Sequence, residues 1–486
     1  MTDSSDFRPE ARIPRGFADK RASTLRAERR ILEAVSKVYE SWGFEPLDTG
    51  AFEYADALGK FLPDSDRPNE GVFALQDDDE QWMALRYDLT APLARFAAQN
   101  WETLPKPFRR YAVGTVWRNE KPGPGRYREF IQCDADTVGS ARPEADAEII
   151  AMASAGLEAA GLPKGAALLK INNRKLLNGL LTAAGVTDGG QKLVVLRAVD
   201  KLDRLGIDGV RALLGEGRLD ESGAFTKGAG LNAKNAESVL AFVQAGAGVR
   251  SETLNRLAGV IGGSAEGDEG LEELAKIDAA LKGLGVAEEQ ATIDPSVVRG
   301  LEYYTGPVYE AELLIETGGE RFGSVGGGGR YDDLVARFTG ERVPATGFSF
   351  GVSRLAAALK AAGQGIGTEA RGPVVVIVFD QSRMADYFAV AAELRSAGIP
   401  AEVYLGSSGM KAQMKYADRR LAPAAVIMGE DEIAAGTVTV KDLDLGRELA
   451  SGITDNAAWR TERPGQQTIP RDKLVEAVRR IIGEGE

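Results

Sequence analysis

The spacing of apolar residues near the start of the chain predicts a long helix. From Ile31 to Trp42, apolar side chains recur with the one-, three- and four-residue spacing of a single buried helix face. Ser23 or Thr24 offers an N-cap for this helix, and Gly43 offers its end. We expect the buried face to join the core of the first domain or a dimer interface.

Two later stretches have the pattern of β-hairpins. Residues 72–88 place two apolar runs around a polar turn and lead into a helix capped by Asp88 or Thr90. Residues 109–138 place two strand-like runs around the Pro- and Gly-rich loop 121–125. Consecutive strands joined by hairpins predict an antiparallel sheet rather than a doubly wound parallel one.

The rest of the pattern predicts an insertion and a separate C-terminal domain. Residues 174–285 are rich in Ala, Leu and Gly and have few strand signals, so a mostly helical insertion should interrupt the sheet. From residue 373 onward, apolar strands alternate with helices, which predicts a small α/β domain whose edge is antiparallel at 437–441 and 446–449. The fold class is therefore α+β, with an antiparallel sheet from residues 1–169 and 289–365, a helical insertion at 170–288 and an α/β domain at 373–486.

Composition indicates an ordinary globular protein. The 486 residues are 44% hydrophobic and 27% charged, with a net charge of −13. Such acidity argues against broad coating of nucleic acid, although Lys and Arg outnumber Asp and Glu by five over residues 106–130. The sequence contains no apolar run long enough to cross a bilayer, no signal-peptide pattern and a single cysteine, Cys133. Together these features predict a cytoplasmic protein with no membrane partner.

The chain contains no histidine. This excludes imidazole of the protein as a general base, a nucleophile or a metal ligand. It therefore excludes every Ser-His-Asp triad, Cys-His pair and His-ligated zinc site. Acid–base chemistry must use carboxylates, tyrosines, lysines, the substrate or water.

Charged residues cluster around the loop of the second hairpin. Arginines on paired strands can clamp a polyanion through bidentate hydrogen bonds. Gln132, Asp134 and Asp136 alternate along the second strand and so share one face. The competing interpretation is a solvated strand pair with cross-strand ion pairs that are worth little. The charged residues beside the loop are Arg118, Glu120, Arg126 and Arg128.

A second cluster follows the insertion. Arg299 precedes two tyrosines, and alternation toward the next strand predicts that one of Tyr303 and Tyr304 faces a cavity while the other packs. Residues 326–329 are four consecutive glycines, which allow close approach of the backbone or a positive φ. The competing interpretation is a hairpin with a loose glycine turn. Arg354 falls in the first turn of a predicted helix, where the dipole disfavours a cation, so it could face a phosphate.

Several motifs together resemble those of class II aminoacyl-tRNA synthetases, and specifically the histidyl-tRNA synthetase family. Residues 114–120 with 126–130 resemble class II motif 2, and residues 347–354 resemble motif 3. Residues 299–304 (RGLEYY) and 327–332 (GGGRYD) resemble the two histidine-specific motifs. The resemblance covers nearly the whole chain. It implies a class II synthetase-type sheet and a C-terminal domain of the anticodon-binding type.

The resemblance also implies an activity and a role for each motif residue. The activity is the ATP-dependent activation of L-histidine and its transfer to the 3′ end of tRNA(His). The implied ATP-binding residues are Arg118, Glu120, Arg126, Phe130 and Arg354. The implied histidine-binding residues are Asp88, Thr90, Arg118, Gln132, Asp136, Arg299, Tyr303, Tyr304 and Tyr331. Arg299 and Arg118 are the implied catalytic residues, because fixed guanidinium groups would stabilise charge developing at the α-phosphate.

The family further implies a homodimer and Mg²⁺ on the pyrophosphate oxygens, with no metal held by the protein alone. The chain departs from the family pattern in three places. Gly50 stands where motif 1 usually has proline. Lys121 and Gly123 stand where bacterial members usually carry Arg and Gln for the extra 5′ guanosine of the tRNA, so recognition of a tRNA lacking it is expected. The insertion is also longer than in compact members.

Two other functions stay open from the sequence. One is the non-catalytic regulatory subunit of ATP phosphoribosyltransferase; such paralogues generally lack the C-terminal domain and the catalytic arginines, whereas this chain has residues 373–486 and Arg299. The other is a prolyl- or threonyl-type synthetase, against which the motif at 299–304 argues. The missing histidines allow one hypothesis: an enzyme that charges histidine can be synthesised without its own product.

Overall fold

The computed structural model describes residues 9–61, 71–123, 127–219, 223–246, 248–261, 263–298, 303–317, 320–363, 371–450 and 465–483. The chain divides into two units, Met1–Ile366 and Gly367–Glu486. The helices of the first unit are α1 (Ala22–Ser41), α2 (Thr90–Asn100), α3 (Pro143–Ala159), α4 (Arg174–Ala183), α5 (Gly189–Val199), α6 (Leu202–Leu214), α7 (Ala233–Val243), α8 (Arg250–Ile261), α9 (Ala265–Gly283), α10 (Ala336–Thr339) and α11 (Val352–Ala361). Its strands are β1 (Glu45–Pro46), β2 (Phe52–Tyr54), β3 (Ala74–Gln76), β4 (Trp82–Leu85), β5 (Phe108–Trp117), β6 (Glu129–Val138), β7 (Ala167–Asn173), β8 (Gly217–Leu219), β9 (Phe225–Lys227), β10 (Ala291–Ile293), β11 (Pro307–Thr317), β12 (Glu320–Arg330) and β13 (Ala345–Gly351).

The predicted antiparallel sheet is confirmed. Among the described residues, eight strands pair in the order β1-β5-β6-β13-β12-β11-β7-β10. The pairings are antiparallel except at the two edges, where β1 runs parallel to β5 and β10 runs parallel to β7. Strands β2, β4 and β3 form a separate small antiparallel sheet.

The two faces of the large sheet have different roles. Cys133 and Ala135 of β6 face a core that includes Ile31 and Tyr39 of α1 and Ile149 of α3, all of them almost fully buried. The intervening residues of β6 point to the other face, as strand alternation requires. That second face lines the cavity described below.

Helix α1 confirms the predicted helix but not its cap. The helix begins after Arg21 with no side-chain cap, so Ser23 and Thr24 lie inside its first turn. Gly43 has φ near +80°, the left-handed conformation that favours glycine, just after the helix ends. The helix N-terminus was therefore placed wrongly and its C-terminus correctly.

The insertion is helical, as predicted, and joins the sheet at both ends. Helices α4 to α9 and the β8–β9 hairpin lie between β7 and β10. The buried Arg250 of α8 donates to Asp278 of α9 at 2.6 Å and to the carbonyl oxygen of Ala291 in β10 at 2.6 Å, which ties the insertion to the sheet edge. The predicted boundary between residues 169 and 170 falls inside β7, so the division of the first unit into domains stays a prediction.

The second unit is the predicted α/β domain. Its strands are β14 (Val374–Val376), β15 (Ala401–Val403), β16 (Ala424–Ile427), β17 (Thr437–Asp442) and β18 (Gln466–Pro470), and its helices are α12 (Met384–Ser396), α13 (Met410–Arg419), α14 (Glu430–Ala435), α15 (Leu443–Ala450) and α16 (Leu474–Ile482). The strand order is β15-β14-β16-β17-β18, parallel around β14 and antiparallel from β16 onward.

The predicted strand at 446–449 is wrong. These residues belong to α15, and the edge of the sheet is β18. Asp442 accepts a hydrogen bond from the backbone nitrogen of Leu445 at 2.9 Å, as an N-terminal cap does. Asp444 and Arg447 form an ion pair one helical turn apart. These local helix signals outweigh the short apolar pattern.

No helix in the described ranges has the length and apolar character needed to span a membrane.

Candidate active site

A cavity of about 370 Å³ lies on the open face of the large sheet. It draws together residues from both hairpins, from the stretch after the insertion and from the start of α11. The predicted site residues that line it are Asp88, Thr90, Arg118, Phe130, Gln132, Asp136, Tyr303, Tyr304, Tyr331 and Arg354. Stretches separated by more than two hundred residues therefore meet at one place.

Glycines make the floor of this cavity. Residues 326–329 lie inside β12, paired on one side with β11 and on the other with β13. A Cβ on Gly326 would come within 2.7 Å of the Phe348 ring, and one on Gly329 within 2.8 Å of the Tyr304 ring. None of the four has a positive φ. The run is therefore not a loose turn, and its glycines at 326, 328 and 329 allow close approach of neighbouring groups.

A buried ion pair joins Asp136, which lines the cavity, to the neighbouring strand β5. Asp136 and Arg110 lie directly opposite each other on β6 and β5, and the Arg110 Nη2 atom is 3.0 Å from the Asp136 Oδ2 atom. The Tyr331 hydroxyl donates to the other carboxylate oxygen. Burial raises the pKa of Asp136, and the neighbouring guanidinium opposes that rise only in part. Arg110 was missed at the sequence level, although its charge among apolar strand residues was a usable signal.

Asp88 caps helix α2 with one carboxylate oxygen, and its other oxygen has no hydrogen-bond partner among the described residues. Its Oδ1 atom accepts from the backbone nitrogens of Thr90 at 3.2 Å and Ala91 at 2.9 Å, so Asp88 rather than Thr90 caps α2. Its Oδ2 atom is buried and, within the described residues, has no hydrogen-bond partner. Burial raises the pKa of Asp88, against the effect of its two backbone donors and of Arg118. A buried acceptor without a donor is costly, so this oxygen is suited to a ligand.

Gln132, Ser349 and Asp134 form a chain of hydrogen bonds on the cavity face. The Gln132 Nε2 atom donates to the Ser349 Oγ atom at 2.7 Å, and the Ser349 hydroxyl donates to Asp134. The Gln132 Oε1 atom is a second buried acceptor without a partner among the described residues. Burial raises the pKa of Asp134 to about 8. Ser349 was not singled out from the sequence.

Two arginines and one aromatic ring line the cavity beside the carboxylates. The Arg118 guanidinium lies 5.2 Å from the centre of the Phe130 ring, and its Nε atom donates to the Tyr87 carbonyl oxygen at 3.1 Å. Arg354 stands in the first turn of α11 and donates to the Phe322 carbonyl oxygen at 3.1 Å. This arrangement can hold an anionic, ring-bearing ligand next to a cationic one.

The predicted division of labour between the two tyrosines is wrong. Tyr303 and Tyr304 both line the cavity, and their rings meet edge to face at 4.9 Å between centres. The Tyr303 ring also contacts Tyr331 at 5.9 Å. Strand alternation does not apply to them because β11 begins only at Pro307. Burial raises the pKa values of both hydroxyls, so both stay protonated donors.

Of the three remaining predicted residues, Glu120 does not line the cavity and the other two cannot be placed from the described residues. Glu120 is exposed in the loop after β5, where its carbonyl oxygen accepts from Arg128 at 2.9 Å. Arg126 and Arg299 lie outside the described residues. Their roles stay predictions.

The described residues contain no group of three acidic or cysteine side chains that could hold a metal ion.

The antiparallel-rich sheet, with helices on one face and this cavity on the other, is the fold of a class II aminoacyl-tRNA synthetase. A histidyl-tRNA synthetase structure from Nostoc sp. PCC 7120 aligns with a TM-score of 0.73 and 30% identity, covering 97% of this chain and all of that one. A structure titled as an ATP phosphoribosyltransferase regulatory subunit/histidyl-tRNA synthetase from Bacillus halodurans C aligns over 84% of this chain and 97% of its own, with a TM-score of 0.66. At 22% identity, it shows a common fold only.

Sequence comparison narrows the class to a family. The histidyl-tRNA synthetase family profile matches residues 16–355, and an anticodon binding domain profile matches residues 373–481. A histidine–tRNA ligase from Caulobacter vibrioides is 78% identical over 99% of this chain and 98% of its own length. One from Brucella suis is 56% identical over the same shares. The chain belongs to the histidyl-tRNA synthetase family.

Proposed function

We propose that this protein is a histidine–tRNA ligase, which uses ATP to convert L-histidine to histidyl-adenylate and then transfers histidine to the 3′ end of tRNA(His). The observation that carries the site assignment is the cavity, where buried carboxylates and unpartnered acceptors lie beside arginines and an aromatic ring. Full-length identity to ligases favours this activity over that of a regulatory subunit.

The carboxylate side of the cavity suits the amino acid. The unpartnered Asp88 Oδ2 and Gln132 Oε1 atoms would accept hydrogen bonds from the α-ammonium group. Asp136 and the tyrosines Tyr304 and Tyr331 would surround the imidazole ring, with Tyr303 supporting them through ring contacts. A pocket with matched partners for a polar ring rejects analogues that lack them by roughly 10⁴ or more. Such selectivity would make a separate editing site unnecessary.

The arginine side suits ATP. Phe130 would stack on adenine, Arg354 would bind the γ-phosphate, and Arg118 would bridge the α-phosphate and the histidine carboxylate. Attack of the carboxylate on the α-phosphorus brings negative groups together, and fixed guanidinium groups offset that repulsion without reorganising. We assign the main electrostatic role to Arg299 and ATP-tail contacts to Glu120 and Arg126, on the family pattern alone. Mg²⁺ would add positive charge on the pyrophosphate oxygens when bound.

The second step needs no histidine of the enzyme. The 3′-terminal ribose hydroxyl of the tRNA attacks the adenylate carbonyl, and the adjacent phosphate oxygen is an available proton acceptor. The second unit, which carries the anticodon-binding profile, would bind the anticodon region of the tRNA. Lys121 and Gly123 lie in an exposed loop segment and lack the planar donors expected for reading an extra 5′ guanosine. The single buried cysteine favours a reducing compartment such as the cytoplasm.

A homodimer is the expected assembly, and the small sheet offers a surface for the second copy. Five apolar residues share its outer face by register: Phe52, Tyr54, Leu75, Met83 and Leu85. Tyr54 is 55% exposed and Phe52 is 44% exposed. A contiguous apolar face of this kind marks an interaction surface rather than scattered surface residues. A two-fold dimer would bury the face against its own copy.

Histidine-dependent ATP–pyrophosphate exchange tests the proposed activity. The wild type should exchange label only when L-histidine is present. Arg118→Ala should lower the rate by roughly 10² to 10³, the usual loss when one preorganised donor is removed from developing charge, and Arg299→Ala tests the family assignment in the same way. Arg142→Ala is the matched control, because the Arg142 side chain is exposed, pairs with Glu144 and does not line the cavity. A wild type with no exchange would favour the regulatory function.

A further inference from the structure

The hydrogen-bond chain at Gln132 has a defined direction. Gln132 and Asp134 lie on the same face of β6, and Ser349 lies directly opposite Asp134 on β13. The amide nitrogen of Gln132 donates to the Ser349 oxygen at 2.7 Å, and the single proton of Ser349 goes to the Asp134 Oδ1 atom. The chain therefore runs from the amide through the hydroxyl to the carboxylate.

This direction determines which end of the Gln132 amide faces the cavity. The oxygen and nitrogen of an amide are distinguished by their partners. When Asp134 is ionised, it can only accept from Ser349, so Ser349 has only a lone pair left for Gln132, and only the amide nitrogen can use that lone pair. The amide oxygen is then left buried, without a partner among the described residues, on the cavity side. Turning the amide round would place two acceptors against each other.

The residues opposite Gln132 and Asp134 on the neighbouring strands show which side chain can orient the Gln132 amide. The residues opposite Gln132 are Gly114 on β5 and Gly351 on β13, and the residue opposite Asp134 on β5 is Ala112. None of these three has a polar side chain. Among these residues of β5 and β13, the Ser349 hydroxyl is therefore the side-chain group that can hold the Gln132 amide in one orientation.

We propose that Asp134 and Ser349 are positioning residues that hold the Gln132 carbonyl oxygen toward the α-ammonium group of the amino-acid substrate. The proposal rests on the role proposed above for Gln132. It assigns neither residue a contact with the reacting atoms. Their effect on the substrate passes through the orientation of one amide.

Steady-state kinetics of pyrophosphate exchange with Ser349→Ala tests the proposal at pH 9, where Asp134 is ionised. Without the hydroxyl the amide is free to turn, so the KM for L-histidine should rise roughly tenfold, the size expected for a weakened hydrogen bond to a charged group. The KM for ATP should stay within about twofold of the wild type. Inhibition by 3-(imidazol-4-yl)propionate, which lacks the amino group, should not change. Ser349→Thr keeps the hydroxyl and should restore the KM for L-histidine.

A double-mutant cycle separates positioning from a general loss of structure. Gln132→Ala alone should raise the KM for L-histidine at least as much as Ser349→Ala, and the double variant should be no worse than Gln132→Ala, because Ser349 then has no amide to orient. Asp134→Asn should resemble Ser349→Ala, since an amide at 134 can donate to Ser349 and reverse the chain. Thr137→Val is the control: Thr137 is buried on the same strand, but its side chain lies on the opposite face from Gln132.

The outcomes distinguish the proposal from its premise. If Gln132→Ala raises the KM for L-histidine and Ser349→Ala does not, the positioning role is overturned while the role of Gln132 stands. If Gln132→Ala leaves that KM unchanged, the premise fails and the positioning role fails with it. Additive effects in the double variant, or an equal rise for the des-amino inhibitor, would assign Ser349 a structural role instead. Non-additivity with selective loss for L-histidine supports the proposal.

Discussion

Asp136→Asn should destabilise the first unit by about 3–5 kcal/mol, the usual result of removing one partner from a buried ion pair. The substitution keeps the volume of the side chain and removes its charge. The partner cannot adapt, because the Arg110 side chain is 1% exposed and two of its nitrogens, Nε and Nη1, have no other hydrogen-bond partner among the described residues. Its remaining donor, Nη2, also reaches the Leu89 carbonyl oxygen at 2.8 Å. One carbonyl oxygen cannot replace a carboxylate.

The same structure predicts that the intact pair adds little net stability. The pKa of Asp136 is raised although a guanidinium is 3.0 Å away, so the cost of burying the carboxylate exceeds its attraction to Arg110. A double variant, Asp136→Asn with Arg110→Met, removes both charges and keeps an apolar stem in place of the guanidinium. It should recover most of the loss of the single variant, as replacement of buried pairs by apolar groups often does.

Urea unfolding followed by tryptophan fluorescence is the assay. Four of the five tryptophans, at positions 42, 82, 101 and 117, lie in the first unit, so the signal reports mainly on it. The midpoint should fall for Asp136→Asn at an unchanged slope with denaturant. Glu144→Gln is the control, because its pair with Arg142 is exposed and worth at most about 1 kcal/mol. A loss of less than 1 kcal/mol for Asp136→Asn, or a double variant as unstable as the single, would refute the reasoning.

Three further predictions follow from the same structure. Burial raises the pKa of Asp134 to about 8, against about 3.9 in an unfolded chain. Between these values the folded protein binds more protons than the unfolded one, so its stability falls as pH rises from about 4 to about 8. In thermal melts across this range, Asp134→Asn should flatten that fall. A variant whose stability changes with pH in parallel with the wild type would contradict this prediction. In sedimentation equilibrium, Tyr54→Glu should shift the protein toward monomer, because it puts a charge in the apolar face of the small sheet. Arg142→Ala is the control, and the same shift in that variant would show a nonspecific effect. Transcripts of tRNA(His) with and without the extra 5′ guanosine should be charged at rates within about threefold, since Lys121 and Gly123 offer no specific donor set, and a hundredfold preference for the guanosine would contradict this.

Strand alternation was enough to place the acidic side of the site. Gln132, Asp134 and Asp136 were predicted on one face from their spacing alone, and all three line the cavity. The chain turns between β5 and β6 within one hairpin, so this part of the sheet depends on local contacts. Helix caps depend on local contacts as well, and Asp88 was one of the two predicted candidates. Local rules were not always sufficient, since the predicted cap of α1 and the predicted strand at 446–449 were wrong.

Ser349, one of the two residues that were missed, depends on a pairing between distant strands. Ser349 meets Asp134 across 215 residues of sequence, and nothing near Ser349 indicates which strand will lie beside it. The four glycines illustrate the same limit. Local propensity favours a turn for such a run, but the structure places it in a central strand, where backbone or side-chain atoms leave little room for a Cβ at 326, 328 and 329. Only the assembled sheet shows why small residues are required there.

Because the chain contains no histidine, titrations observed at the site are easier to assign to individual groups. Groups that titrate between pH 5 and 8 in a typical enzyme are mostly imidazoles, and this chain has none. A titration in that range must come from a perturbed carboxylate, from the α-amino terminus or from the substrate. Among the carboxylates, Asp134 is the candidate, because its pKa is raised to about 8. When L-histidine binds, its own imidazole is the single imidazole in the complex. The protonation state of the bound substrate can therefore be followed by NMR with no imidazole signal from the protein. The effect of Asp134→Asn on the pH–rate profile can then be separated from the effect of substrate protonation.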